Sequence, residues 1–304
     1  SWQHGFALFL NLSAKFPDPA GVTLGSVINA CRVTDAWVLA CSLLHKELNR
    51  WLTLHGSNVT VPCEISRNSF WNEGLSMLLH HQGVLAVFKG ADISTESIIE
   101  RVQDNVALSN GPEVTCVSRL DLPTSGVLVM ALGGHRSASA NYVLAQFAGR
   151  LAIKTYHCLC SGTVPCSIGS NAVRSARLSI VISNDTRRAY VSTVDGQEAR
   201  TLLLVKACYH LTGLDGTQDG SFTFAEARPL AGRTHQIRVH LASLGRPLVS
   251  DAAYGNQAFA VESRWCPRLF LHCSRVTLCD IDGELCSVEA PLSPDLIRAL
   301  GMLR

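Results

Sequence analysis

The sequence of 304 residues contains few charged side chains, in almost equal numbers of each sign. There are 26 Lys and Arg against 24 Asp and Glu, which gives a formal net charge of +2, and only 16% of the residues are charged. A protein that coats nucleic acid through its overall field carries a larger basic excess. Any binding of nucleic acid by this chain must therefore depend on a local cluster of basic groups.

Long apolar segments are absent as well. The longest uncharged apolar runs, such as residues 36–44 (AWVLACSLL), are shorter than the roughly 20 residues that a helix needs to cross a bilayer. The sequence also has no secretory signal peptide, internal repeat or low-complexity tract. We therefore expect no membrane partner. Because the chain begins at Ser1 rather than Met, we expect that an N-terminal segment, such as a transit peptide, once preceded it.

The sequence has 12 cysteines but no C-x-x-C pair, so the usual zinc-ribbon spacing is missing. Cys158, Cys160 and Cys166 give only a weak indication of a metal site. Many of the cysteines lie within apolar runs, where a thiol behaves as a small hydrophobic group. We predict free thiols in a reducing compartment, with neither a zinc site nor disulfides.

Hydrophobic residues make up 47% of the chain, enough for a large core in one domain or two. Residues 1–76 carry no motif with chemical meaning. We predict a helix from Thr34 to about Leu52 there, and assign the segment as an N-terminal extension or accessory domain of unknown role. Residues 77–304 have many strand patterns and few helices, which predicts an α+β domain built on a mixed, mainly antiparallel sheet.

The strand and helix patterns of residues 77–304 follow from periodicity and turn residues. A turn at residues 123–126 precedes a strand at residues 127–132, and a helix at residues 137–150 ends at Gly149. Period two places Lys154 and Tyr156 on one face of a further strand. Residues 213–220, rich in Gly and Asp, are predicted to form a mobile loop. Other strands are predicted at residues 83–90, 177–183, 199–210, 221–230 and 269–280.

Basic side chains are concentrated in residues 228–255 (RPLAGRTHQIRVHLASLGRPLVSDAAYG), which contain four arginines and two histidines. We predict a helix here, capped by Thr234 and running to about Leu244 before Gly245. Ile237, Leu241 and Leu244 would form its buried stripe. His235 and Arg238 then share one polar face, and Gln236 and His240 share another.

Three residues are candidates for chemistry, and each also has a structural explanation. Arg238 can reach a carboxylate from another element, but it also fits a salt bridge on a solvated helix. Asp121 precedes a turn and a buried strand, where Asp commonly stabilises the turn. Tyr156 fits a core aromatic residue with a satisfied hydroxyl.

Three segments together resemble the RluA-type pseudouridine synthase family. They are RLDLPTSGVLVMAL, KTYHCLCSG and ARPLAGRTHQIRVHLASLGRPLVSDAAYG, in that order. The segments GVLAVFKGADIST, DGQEARTLL, and LFLHCSRVTL followed by APLSPDL are weaker matches. The resemblance covers roughly residues 84–300. It implies a pseudouridine synthase fold with a central RNA-binding cleft that accepts a flipped-out uridine and needs no cofactor or metal.

The resemblance also implies roles for particular residues. Asp121 matches the catalytic aspartate, and Arg238 matches the arginine that pairs with it. Tyr156 matches the tyrosine that stacks on the base and is proposed to accept the proton from C5. Arg119 matches the residue that enters the gap left by the flipped base. The RNA-binding residues predicted on this basis are Arg119, Lys154, Arg233, His235, Gln236 and Arg246.

Three positions depart from the family pattern. Ser118 stands where the family usually has His, Gly90 where it has Pro, and Ser250 where it has Gly. The inferred catalytic side chains are all retained. The resemblance therefore implies an RNA pseudouridine synthase. The departures and the modest charge leave open a catalytically dispensable or inactive RNA-binding factor in ribosome assembly.

The expected partner is structured RNA, with ribosomal RNA ahead of transfer RNA, or a ribosomal assembly intermediate. The class of activity and the missing start together favour a mitochondrial location, with the cytoplasm and nucleus as alternatives. Because the net charge is low, we predict that the basic groups border one cleft. These groups are Arg119, Lys154, Arg187, Arg188, Arg228, Arg233 and Arg246.

Overall fold

The computed structural model describes residues 70–71, 75–108, 111–134, 137–165, 167–183, 186–212, 218–280 and 285–303. The helix predicted at residues 34–52 and the cysteines at positions 31, 41, 63 and 166 lie outside these ranges. Within them, no helix is both long and apolar enough to cross a membrane.

The described residues form one twelve-stranded sheet with helices packed against it. The strands are β1 (Phe70–Trp71), β2 (Leu75–His81), β3 (Val84–Lys89), β4 (Val114–Cys116), β5 (Ser125–Leu132), β6 (Ile153–Ser161), β7 (Asn171–Ser183), β8 (Thr186–Ser192), β9 (Gln197–Thr212), β10 (Gln218–Pro229), β11 (Leu271–Cys279) and β12 (Leu285–Glu289). The helices are α1 (Thr95–Leu108), α2 (Ala138–Ala148), α3 (Gln236–Ser243), α4 (Phe259–Glu262) and α5 (Pro294–Gly301).

The strand order is β1-β2-β3-β5-β11-β6-β10-β9-β7-β8, with β4 paired to β5 and β12 to β11. Among these described pairs, only β5 with β11 is parallel. The predicted mixed, mainly antiparallel sheet is therefore confirmed. The domain boundary predicted between residues 76 and 77 falls inside β2, a strand of this sheet.

The centre of the sheet is buried on both faces because its strands are continuous apolar runs. Residues 84–87 of β3 and residues 127–131 of β5 are almost fully buried. β5 begins at Ser125, so two residues of the predicted turn belong to the strand. Gly126 has a φ of 121°, and a Cβ there would overlap the backbone of Cys273 on β11. The parallel contact between β5 and β11 therefore requires glycine at this position.

The helix predicted at residues 137–150 is confirmed as α2. Ser137 caps its start by accepting a hydrogen bond from Ala140 N at 3.1 Å, and Gly149 follows its last residue. The predicted loop at residues 213–220 is wrong for Gln218–Gly220, which belong to β10 beside β9. Residues 213–217 lie outside the described residues.

Two predictions about α3 are wrong. The helix begins at Gln236, and the residue at its cap position is His235 in a left-handed conformation, not Thr234. Leu244 lies past the last turn and is 39% exposed, so it is not part of the buried stripe. The helix is buried on several sides, from Gln236 to Leu241, because it packs against β7, β8, β9 and β10. Its polar faces therefore lie in the interior rather than in solvent.

Candidate active site

A cavity of about 490 Å³ opens between the loop before β5, the start of β6 and the N-terminal end of α3. It brings together all three residues proposed for catalysis. The predicted RNA-binding residues Arg119, Lys154, Arg233, His235 and Gln236 also line it. We call this cavity the catalytic pocket.

Asp121 lies at the wall of the catalytic pocket, in the loop that leads into β5. Its side chain is 29% exposed, so its carboxylate can meet a bound molecule. The Nη1 atom of Arg238 lies 3.6 Å from Asp121 Oδ2, and His235 Nε2 lies 4.0 Å from the same oxygen. The predicted ion pair between Arg238 and Asp121 is thus confirmed as a contact, while the catalytic role of Asp121 stays a prediction.

Arg238 makes its strongest contacts with another carboxylate, which the sequence did not single out. Its Nε and Nη2 atoms donate to the two oxygens of Asp251 at 2.9 and 2.7 Å. Asp251 is fully buried, and Arg238 is 5% exposed. Burial alone would lower the pKa of Arg238, but the bonds and charge of Asp251, with Asp121 beyond, raise it. Asp251 therefore holds the guanidinium in one orientation, with its remaining nitrogen directed at Asp121.

Lys89 stabilises the loop that contains Asp121 through hydrogen bonds to its backbone. It is fully buried, and its ammonium lies within 3.2 Å of the carbonyl oxygens of Gly90, Asp121, Leu122 and Thr124. An ammonium has three donors and no acceptor, which suits a ring of carbonyl oxygens. The sequence placed Lys89 only at the end of a strand, because three of the four carbonyls that surround it come from residues more than 30 positions along the chain.

We expect the pH dependence of turnover to report Lys89. Burial lowers the pKa of its ammonium from 10.5 to about 8, against the opposing charges of Asp121 and Asp92. Turnover should fall as the pH rises through about 8, because Lys89 then loses its charge and one donor. The free energy of unfolding should instead rise over this pH range. The folded-state pKa lies below that of the unfolded chain, so the unfolded chain binds more protons between about 8 and 10.5.

Turnover and denaturant unfolding measured across this pH range test the two opposite trends. Both should vanish in Lys89→Met and persist in Lys206→Met, since Lys206 is an exposed residue with a 3.4 Å ion pair to Glu226. If turnover and stability fall together in the wild-type protein, ordinary alkaline unfolding explains the profile and Lys89 does not.

Tyr156 forms another wall of the catalytic pocket. It lies on β6, opposite Ala227 of β10 and Cys273 of β11, and is 7% exposed. Burial, with smaller contributions from Cys273 and Asp121, raises its pKa well above 10. The phenol is therefore protonated at neutral pH. This state suits a surface for stacking, and it does not supply a phenolate base.

His235 is held beside Asp121 by Tyr254. Its φ of 52° is uncommon for a residue other than glycine, and its Nδ1 lies 2.9 Å from the Tyr254 hydroxyl. That hydroxyl accepts from Ala189 N at 3.0 Å and donates to Ala189 O at 3.1 Å. Because the phenol has one proton, His235 Nδ1 is the donor, and Nε2 is directed towards Asp121. Burial lowers the pKa of His235, despite the charge of Asp121, and favours this neutral ring.

Two predicted RNA-binding residues use their polar groups within the protein. The Gln236 amide donates to Arg200 O at 2.8 Å and Thr201 Oγ1 at 3.0 Å, and its oxygen accepts from Arg233 N at 3.2 Å. This geometry favours support of the Arg233 loop over contact with RNA. Arg246 lies away from the catalytic pocket, in a separate cavity, where its Nε donates to Thr163 O at 2.8 Å.

The prediction that all the basic residues border one cleft is therefore wrong for Arg246. Arg188 is exposed on β8. Burial lowers the pKa of His235 and raises that of Tyr254, and the nearby charge of Arg188 adds to the first shift and opposes the second. Arg188 does not line the catalytic pocket. The side chain of Arg187 lies outside what the structure describes. The predicted basic residues do not all lie at one cavity, and their spacing along the chain did not indicate this.

Two departures from the family pattern have local explanations. The Ser118 hydroxyl donates to Val129 O at 3.0 Å and accepts from Val129 N at 3.3 Å, so it joins its loop to β5. Ser250 has a φ of 55°, in the region that glycine prefers. Its hydroxyl donates to Cys266 O at 2.6 Å and its N–H donates to Glu262 Oε2 at 2.8 Å, which stabilise that conformation.

The eight described cysteines are thiols, with no disulfide between them. Among the described residues, one group of side chains that could act as metal ligands lies close together. His81 Nε2 is 3.1 Å from Asp280 Oδ2, and Cys286 Sγ is 3.9 Å from that oxygen. This group supplies three donors, one fewer than a closed structural zinc site.

We expect the purified, reduced protein to contain far less than one zinc per chain. The reason is that the apolar setting of most cysteines suits packing rather than coordination. Elemental analysis after dialysis measures this directly. Stoichiometric zinc that is lost in His81→Ala would show that the prediction is wrong.

The comparison with protein families matches the description "RNA pseudouridylate synthase" over residues 82–243, more than half of the chain. The chain belongs to this family and is therefore an isomerase of the pseudouridine synthase class. Its sequence is 31% identical over 190 residues to tRNA pseudouridine synthase C of Vibrio vulnificus, a match that covers 60% of this chain and 71% of that protein.

Two further similarities agree with this class. The dual-specificity RNA pseudouridine synthase RluA of Vibrio parahaemolyticus is 32% identical over 168 residues, 55% of this chain and 60% of that protein. The solved structure of human RNA pseudouridylate synthase domain containing 1 is 26% identical, with a TM-score of 0.58 over 72% of this chain and 84% of that chain. The resemblance to the RluA-type family is confirmed.

Proposed function

We propose that the protein converts uridines of structured RNA into pseudouridine, with Asp121 as the catalytic carboxylate. The observation that supports this most directly is the position of Asp121 in the catalytic pocket, beside an arginine oriented by a buried carboxylate. Close pairing with a guanidinium orients the carboxylate and offsets the cost of removing it from water when substrate binds.

The reaction breaks the N1–C1′ glycosidic bond, turns the base and forms a C5–C1′ bond, with the C5 proton released and a proton taken up at N1. It involves no net oxidation and no second substrate, so these residues need no cofactor for it. Asp121 acts either as a nucleophile on the base or sugar, or as a base at the ribose. The geometry is compatible with both routes because the Asp121 carboxylate is partly exposed to the pocket.

The target nucleotide must leave its stack before it reaches Asp121, at a cost of a few kcal/mol. Stacking on Tyr156 offsets this cost by about 1–3 kcal/mol. Arg119 is exposed at the rim of the pocket, a position suited to filling the gap left by the flipped base. The neutral Nε2 of His235 faces the same space and can accept a hydrogen bond from the nucleotide.

We propose ribosomal RNA as the first substrate to test and transfer RNA as the second. The similar Vibrio vulnificus protein is named for transfer RNA, and a similar Pasteurella multocida protein, 26% identical, is named for the large ribosomal subunit. A mitochondrial location and association with a ribosomal assembly intermediate also stay proposals. Fluorescent tagging of the natural protein and fractionation of ribosomal particles address them.

Pseudouridine mapping of ribosomal and transfer RNA tests the proposed function. Cells that lack the protein, or carry only Asp121→Asn, should lose modification at the same few positions. If neither strain loses any pseudouridine, the isomerase proposal is wrong. Loss of ribosomal particles without loss of pseudouridine would instead favour an assembly factor in which catalysis is dispensable.

A further inference from the structure

A second cavity, of about 720 Å³, adjoins the catalytic pocket. The two cavities share Arg119, Lys154 and residues at the end of β10, so one continues into the other. Arg150 and Arg228 line only the second cavity. We call this second cavity the basic groove. It contains four cationic side chains and no Asp or Glu in its lining.

The positive charge of the basic groove is only partly neutralised by the protein. Arg228 Nη2 lies 3.9 Å from Glu226 Oε2, but Glu226 also faces Lys206 and His157. Within the described ranges, Arg119 and Arg150 have no ion pair with a carboxylate. Burial, with a smaller contribution from the nearby charge of Arg150, lowers the pKa of Arg233. A polyanion would relieve this repulsion between like charges.

The lining of the basic groove also includes exposed apolar side chains. Ile153 is 51% exposed and Leu230 is 41% exposed, next to the arginines. Phe147 lies beneath Lys154, with the ammonium 6.0 Å from the ring centroid. Cationic groups beside apolar and aromatic surface are the combination that holds single-stranded nucleic acid, since phosphates meet the charges and unstacked bases cover the apolar surface.

We propose that the basic groove binds the single-stranded RNA that flanks the target nucleotide, with phosphates at Arg150 and Arg228 and a base on Ile153 and Leu230. The proposal rests on the proposed function in naming RNA as the ligand. It assigns a path for the strand that leaves the catalytic pocket, and it gives Arg150 and Arg228 a role in binding rather than in chemistry.

Binding of a fluorescein-labelled oligouridylate of about 12 nucleotides tests the groove without any turnover. Anisotropy titrations between about 50 and 200 mM KCl give the slope of log affinity against log salt. Each lost phosphate contact should reduce the steepness of this slope by ~0.7 for a single strand, so Arg150→Gln with Arg228→Gln should reduce it by about 1.4. Arg264→Gln, exposed and outside both cavities, should leave it unchanged.

An oligomer of the same length with abasic ribose units tests the apolar surface. It should bind the wild-type protein less tightly, by roughly 5- to 150-fold for one base that stacks. Leu230→Ser should reduce this difference between the two probes. Thermal unfolding of each variant should show an intact fold, since Arg150, Arg228, Leu230 and Arg264 are all exposed.

The outcomes separate this proposal from the proposed function. Asp121→Asn should still bind the probe, so a protein that never makes pseudouridine can still show the predicted loss of salt slope in the Arg150→Gln, Arg228→Gln variant. An unchanged slope in the double variant overturns the groove assignment. So does binding of labelled polyglutamate, at the same charge concentration, by a protein that does not bind oligouridylate. That result would indicate an acidic protein segment as the occupant.

Discussion

Asp121→Asn is expected to abolish isomerisation while the protein still folds and binds RNA. The amide has nearly the shape of the carboxylate, but it is a poor nucleophile and a poor base. Loss of a group that transfers a proton or attacks the substrate lowers the rate by at least about 10²–10⁴-fold. Release of a radioactive label from C5 of uridine in a purified assay measures the turnover.

The control for this substitution is Asp104→Asn, which removes a carboxylate from an exposed position on α1. It should retain wild-type turnover. Both variants should still bind RNA at least as tightly as the wild type, because each substitution removes a negative charge that repels phosphate and makes no new clash. Turnover near the wild-type rate in Asp121→Asn would overturn the catalytic assignment, whatever the effect on affinity.

Arg238→Met is expected to give the largest loss of stability of any substitution discussed. It leaves the Asp251 carboxylate, which is fully buried, without the guanidinium that binds both of its oxygens. Breaking a buried ion pair by removing one partner costs about 3–5 kcal/mol. For a domain of this size the melting temperature should fall by about 6–20 °C. Turnover should also be lost, because Arg238 is the cation nearest to the Asp121 carboxylate.

Two further variants separate the buried pair from ordinary surface charge. Arg238→Met with Asp251→Leu removes both charges and should recover much of the lost stability, since an apolar replacement of a buried pair is often near neutral. It should recover no turnover. Arg275→Met breaks an exposed pair with Glu289, and should cost no more than about 1 kcal/mol. Equal losses in Arg238→Met and Arg275→Met would show that Asp251 is not held by Arg238.

The strands and the main motifs could be predicted from the sequence because their signals are local. An apolar run such as residues 84–89 has to be buried, and it forms β3. Ser137 and Gly149 bound α2 through contacts made within a few residues. The same local reasoning failed at α3. There, packing against four strands buries the polar faces and leaves Leu244 exposed, whereas the pattern assumed one apolar face and solvent on the others.

Residue order and local periodicity predicted the mainly antiparallel sheet. The resemblance of three motifs to a known family predicted the family and the candidates Asp121, Tyr156 and Arg238. Which groups meet depends on the tertiary structure. It brought Asp251 to Arg238 across 13 positions and Asp121 to Lys89 across 32, and it moved Arg246 away from the catalytic pocket. The physical reason is that electrostatic and hydrogen-bond partners are selected by distance in space. Pairing in the sheet and packing of helices on it set that distance, and spacing along the chain does not encode it.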